Sequence, residues 1–322
     1  MKARIFLAGF LAALAGPAQS QPAPEQPVEI VVEVDKPTQY QLDTFDVSKL
    51  AKDPGPTTAV PRTFQQRISI GDIVAVNGKP ARGLWTTQIL EVFHRVNPSP
   101  GQAIADINAN GRLHCTWHFL DADGTWIGTL TDTGATPEPS HSVVSGNGAF
   151  FGVIGEHRLL EALGPARQAS VTEDPANRRI HGRGGWRGIF RLYPRFRPEV
   201  QMTQTGPAVL HGDDFSLVTA ANPARRGEQL VVRATGLGPV RPDLQPVGAK
   251  PFTAEPLQIV NSPVSVVFNG AELAVLNKVG WPGETNVYRV DFQVPPDAPQ
   301  GAASVQLVAA WMPGAAVIIP VR

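Results

Sequence analysis

The parts of this sequence that could carry chemistry are a lone carboxylate motif, a pair of histidines, a glutamate beside a glycine run and a stripe of arginines. Asp132-Thr133-Gly134-Ala135 repeats the core of the aspartic-protease motif, in which one carboxylate shares a proton with a second across the site. The spacing does not fit that chemistry, because a glycine-rich stretch begins about ten residues later, where a flap and several strands would have to intervene. The motif is expected to sit in a hairpin turn. His114 and His118 have the i, i+4 spacing that chelates a metal on a helix, but Leu113, Cys115, Trp117 and Phe119 around them alternate as a strand. On a strand the two imidazoles stand roughly 13 Å apart, too far for one ion with bonds of about 2 Å. His141, His157 and His181 could join them only through the fold, so neither a metal nor a cofactor is expected.

Glu156 follows the last glycine of that stretch, with Glu161, Glu173 and Asp174 nearby. A carboxylate held in an apolar barrel with a raised pKa could act as general acid or base without a cofactor, although a surface salt bridge to one of the arginines is the plainer reading for each. Arg178, Arg179, Arg183, Arg187, Arg191, Arg195 and Arg197 form a basic stripe whose guanidinium forks could clamp a carboxylate or an anionic glycan; a solvated outer face is the plainer reading. Glu156, His118 and Arg187 are therefore the catalytic candidates. Trp117, Trp126, Phe151 and Trp186 are the candidate ligand-contacting aromatics, with core packing as their default role. Cys115, the only cysteine, shares a strand face with Leu113, Trp117 and Phe119 and is expected to be a buried small hydrophobe.

The elements that must position these residues are strands. Gly and Pro number 31 each, and Val, Thr and Phe runs are separated by turn signals such as Asn77-Gly78, Asn110-Gly111 and Asp123-Gly124. Residues 1–20 read as a signal peptide: Lys2 and Arg4, an apolar run from Ile5 to Ala15, the Gly16-Pro17 break, then small residues before a cleavage point. Residues 21–63 are rich in Pro, Gln and Thr and read as an extended, mostly disordered leader with one strand-like island, Val28 to Val34, that could add to a sheet edge. Residues 64–197 carry about eight short strands, the number that closes an antiparallel barrel and removes its edges, with a sandwich as the competing architecture. A linker is expected over 198–206 and a β-sandwich over 207–322. The fold class is thus all-β, a barrel plus a sandwich. No segment is apolar for the roughly 20 residues of a membrane span, and the formal charge of zero provides no field to draw nucleic acid.

The stretch Val143-Val144-Ser145-Gly146-Asn147-Gly148-Ala149-Phe150-Phe151-Gly152-Val153-Ile154-Gly155 resembles the allene oxide cyclase and dirigent barrel superfamily in its glycine pair, its Phe and its two further glycines leading into the next strand. The resemblance implies an eight-stranded barrel, often trimeric, hence a homo-oligomer through the barrel, with a ligand cavity at one mouth. It also implies cofactor-free isomerisation, cyclisation or coupling of small lipophilic molecules. No active-site motif of that group aligns here. The C-terminal part is similar to the Ig-like, TIG-like module of bacterial secreted proteins. The residues that carry this are Thr219 to Glu228, Ala234-Thr235-Gly236-Leu237-Gly238-Pro239-Val240 and Tyr288-Arg289-Val290-Asp291-Phe292-Gln293-Val294-Pro295. That module implies display or spacing outside the cell.

The expectation is a secreted binding or surface-associated protein whose barrel holds a small apolar or anionic ligand, or that meets a protein or glycan partner. The alternative is a cofactor-free isomerase or cyclase at the barrel mouth, and a third is a purely structural coat component. A pocket with convergent polar groups would support ligand binding or catalysis, and a side-chain-filled lumen would eliminate both.

Overall fold

Apolar residues at every second position commit most of the first 200 residues to strands. The computed structural model describes residues 26–42, 60–95, 107–136, 140–174, 176–242 and 250–322. The strands are β1 (Val28–Leu42), β2 (Val60–Val76), β3 (Lys79–Arg95), β4 (Ile107–Leu120), β5 (Trp126–Thr136), β6 (Ser140–Gly148), β7 (Ile154–Gly164) and β8 (Arg167–Ser170). A single helical turn, α1 (Asn177–His181), precedes β9 (Gly185–Tyr193). Pairing runs β2-β3-β4-β5-β6-β7-β9-β1 and returns from β1 to β2, closing an eight-stranded antiparallel barrel, with β8 lying parallel against β1. Asn77 and Gly78 both take positive φ in the two-residue turn between β2 and β3, as the Asn-Gly signal requires.

The expected signal peptide lies outside the described residues, as does about half of 21–63. The island Val28 to Val34, expected at a sheet edge, instead closes the barrel: β1 pairs with β9 on one side and with β2 on the other. Its residues Val28, Ile30, Val32 and Val34 are all buried in the barrel core. Period-2 alternation over an isolated seven-residue island says that one face is buried, but not that both edges are paired. No described helix is long and apolar enough to cross a membrane.

The C-terminal part is a sandwich of antiparallel sheets. One is built around Gln229–Thr235 and Tyr288–Gln293, the other around Val264–Phe268, Gly301–Ala309 and Val317–Val321. Leu230, Val232, Tyr288, Val290 and Phe292 from the first meet Val266, Val305, Leu307 and Ile319 from the second in one core. Within 198–206, Glu199–Val200 pairs with Ala234–Thr235, and Val200 joins that core.

The glycine stretch shapes the barrel end that faces the sandwich. After β6 the chain folds back on itself through Phe150 N–H to Asn147 O, Phe151 N–H to Gly148 O and Val153 N–H to Phe150 O. This drives the Phe150 ring fully inside, a burial worth about 1.5–3 kcal/mol. Gly146 permits it, because a Cβ there would lie 2.0 Å from Phe150 O. Gly148 turns the corner at φ +64°, next to Trp126.

Candidate functional site

Inward-pointing residues stack in layers down the barrel. The first layer is Phe119 and Phe150, met from the sandwich by Trp311, whose ring lies nearly parallel to Phe150 and 5.5 Å from Phe119. Ala310 and Met312 beside it are buried in the barrel core. The second layer is an aromatic cluster. Trp186 meets Trp85 at 5.1 Å and Trp117 at 5.2 Å, both edge-on, and Phe190 meets Trp117 at 4.9 Å. The described lumen is packed with rings at this level.

The third layer is polar. Two residues along from Trp117 and from Leu130 stand Cys115 of β4 and Asp132 of β5, cross-strand partners that are both buried. Asp132 lies mid-strand with no exposed surface, not in the hairpin turn expected for its motif. Its Oδ2 accepts from Trp117 Nε1–H at 2.6 Å, and its Oδ1 faces Nδ1 of His141 on β6 at 2.9 Å. His157 of β7 pairs with His141 across the sheet and places Nδ1 3.6 Å from Asp132 Oδ2, beyond hydrogen-bond reach. Neither ring nitrogen of His157 has a partner, although the residue is only 4% exposed. The Cys115 thiol donates to Thr87 Oγ1 at 3.2 Å.

Two glycines make room for the imidazoles. A Cβ on Gly134 would come within 2.4 Å of His141 Cδ2, and one on Gly188 within 2.5 Å of His157 Nε2. The His157 ring stacks on Phe190 at 4.6 Å and meets Trp117 edge-on. The His141 side chain keeps 16% exposure, so this layer touches solvent through it.

The electrostatics give each group a defined state. Burial pushes the His157 pKa down to about 4 against the opposing pull of Asp132, so its imidazole is neutral near pH 7. Burial alone would raise the Asp132 carboxyl, but the His141 hydrogen bond, the neighbouring His157 and the Trp117 donor outweigh it and hold it below its ordinary value. Burial, then the Asp132 charge, push the Cys115 thiol far above the ordinary range. The layer therefore presents a carboxylate, a neutral imidazole and a thiol, with Cys115, Asp132 and His141 offering donor atoms within 4.8 Å of one another.

The catalytic candidates read from sequence lie elsewhere. Glu156 and Arg187 point outward in two cross-strand rows. Arg191 bridges Glu29 and Glu156, and Arg187 bridges Glu33 and Glu161, at 2.8–3.4 Å. These rows neutralise the part of the basic stripe that lies on β9. His118 is on the outer face of β4, with Nδ1 3.2 Å from Thr129 Oγ1, which also accepts from Trp126 Nε1–H. Of the four aromatics, Trp117 and Trp186 line the interior, whereas Trp126 is half-buried on the outside and Phe151 is exposed, stacked against Phe196. The structure brings together Asp132, His141, His157 and Cys115. The signal for Asp132 was its parity with Leu130, two residues before, which places it on the buried face once β5 continues past Thr131.

Between barrel and sandwich lies a cleft of about 680 Å³. Arg241 there donates to Asp121 at 2.9 Å, Asp123 at 2.8 Å and Thr125 at 3.1 Å, Asn261 Nδ2–H donates to Trp126 O, and Lys79 pairs with Glu272. Arg82 and Lys278, also lining it, donate to the carbonyls of Ala122 and Ser262, so these charges serve as stitching rather than a ligand seat. No known protein family, no curated protein and no solved structure matches this chain.

Proposed function

We propose that this is an exported binding protein: an allene-oxide-cyclase-like or dirigent-like barrel carried on an Ig-like, TIG-like display module, with its ligand seat at the Asp132–His157 layer. The observation that carries the reading is His157, a buried imidazole with two unpartnered nitrogens beside a buried carboxylate. An unsatisfied polar group in an aromatic core costs about 1–3 kcal/mol, and a core selected for stability alone would replace it. The rings of the layer above fill the lumen at their own level, so a ligand would have to reach the polar layer from the side on which His141 meets solvent. Purified protein is incubated with a lipid and metabolite extract, and retained compounds are identified by mass spectrometry while the His157 ring resonances are followed by NMR. A retained compound that shifts His157 supports the reading; retention without a shift in His157, or no retention, overturns it.

One observation favours a second reading, the cofactor-free isomerase or cyclase. Asp132 orienting His141 at 2.9 Å is an acid–base dyad. Conversion of the retained compound, lost in Asp132→Asn, would establish turnover; unchanged compound leaves the binding reading in place.

A further inference from the structure

The polar layer holds a donor set that organic ligands do not need. We propose that the barrel binds one transition-metal dication of the zinc class through Cys115 Sγ, an Asp132 carboxylate oxygen and His141 Nδ1, with His157 supplying the fourth donor. This rests on reading the layer as the ligand seat, and it names the ligand class.

Geometry comes first. Cys115 Sγ, the Asp132 carboxylate and a His141 ring nitrogen all lie within 4.8 Å of one another. In a tetrahedral site with bonds of about 2.0–2.3 Å the donors stand about 3.3–3.8 Å apart. His157 Nδ1 lies outside that set of three but stands 3.6 Å from Asp132 Oδ2, the carboxylate oxygen opposite the one that faces His141, and would have to move in to complete the site. The 2.9 Å Asp132–His141 contact needs to open by only a few tenths of an ångström as the ion replaces the shared proton. The second, independent observation is His157 itself, buried with both nitrogens unpartnered and aimed at the carboxylate.

Donor chemistry sets the class. A thiolate and imidazoles suit zinc and its neighbours, whereas calcium and magnesium demand oxygen donors throughout. Charge agrees, because one carboxylate and one thiolate cancel a dication in a buried place, with the thiol proton released on binding. The surroundings of the donors also fit. Trp117 Nε1–H donates to the carboxylate and the Cys115 thiol donates to Thr87 Oγ1, contacts of the kind that orient metal ligands, and Gly134 and Gly188 leave the two imidazoles the space they occupy. His114 and His118, the pair whose spacing imitates a metal motif, lie outside the barrel wall and play no part.

The test uses the full chain stripped with chelator and titrated with Co2+. One equivalent is expected, giving intense visible bands of a tetrahedral ion and a near-ultraviolet thiolate-to-cobalt band displaced by Zn2+. Cys115→Ser should abolish the thiolate band, and His141→Gln and His157→Gln should each weaken binding at least about tenfold. His141→Gln, on the side of the cluster that reaches solvent, keeps the test readable if another variant fails to fold by circular dichroism. Absence of Co2+ binding, or binding unchanged in the His141 and His157 variants, would overturn the proposal. Absence of metal together with a small molecule that shifts His157 would remove the metal and keep the ligand seat; absence of both would remove the two together.

Discussion

Trp311 of the sandwich and Phe150 of the barrel face each other as near-parallel rings, 10° apart in plane with centroids at 6.5 Å. Each is delivered by an unusual backbone. Phe150 is tucked in by the glycine stretch, and Trp311 sits with Ala310 in a two-residue turn where both take positive φ, 47° and 63°. Positive φ costs a non-glycine residue about 1–2 kcal/mol, so the turn persists because its side chains are held by the barrel. The glycine stretch therefore serves the junction as well as the barrel curvature.

Trp311→Ala should uncouple the two halves. The loss of an aromatic anchor is expected to cost about 3 kcal/mol. In differential scanning calorimetry the wild type should unfold in one cooperative transition and the variant in two. A single transition with an unchanged midpoint would show that the ring contributes nothing to coupling.

Gly134→Ala should act through His141. The added methyl needs the space that the His141 ring occupies, 2.4 Å away, and overpacking of this kind costs about 1–3 kcal/mol. Chemical denaturation should show the loss, and NMR should show the His141 Nδ1 proton exchanging faster once its contact with Asp132 is broken. If that proton remains protected, the ring has somewhere else to go.

The barrel was largely legible because strand alternation, Asn-Gly turns and the glycine run are local signals. Alternation alone puts Trp117 and Phe119 on one face with Cys115, and that face is buried. What local signals do not carry is which strands become neighbours. His141 and His157 are 16 residues apart in the chain and directly paired across the sheet, while Asp132 reaches them only because β5 lies beside β6. His114 and His118 have spacing without convergence, which their strand alternation already excludes as a chelate, and Glu156 lies one residue from the interior, on the outward side of a two-residue period.

Arg187→Ala and Arg191→Ala should leave ligand and metal binding unchanged. Both guanidiniums are 42% exposed and bridge glutamates on neighbouring strands, and exposed pairs of this kind contribute at most about 1 kcal/mol. Urea denaturation of each variant should fall within that range of wild type, with the difference shrinking in high salt. A tenfold loss of binding in either would return the arginine stripe to the site.

Tyr288 provides a pH-dependent marker of the sandwich core. Its hydroxyl is buried and donates to Gly238 O at 2.6 Å, and burial pushes its pKa well above the ordinary value near 10. The unfolded chain ionises this phenol near pH 10 while the folded chain keeps its proton. The folded state therefore binds more protons in that range, and stability falls as pH rises above about 10. Tyr288→Phe should cost about 1 kcal/mol at neutral pH through the lost hydrogen bond. The variant should also lose stability less steeply between pH 9 and 11, values chosen to bracket that pKa. Parallel stability curves for the two proteins across that interval would mean that Tyr288 titrates in the folded state as it does in water, and that the core around it is open to solvent.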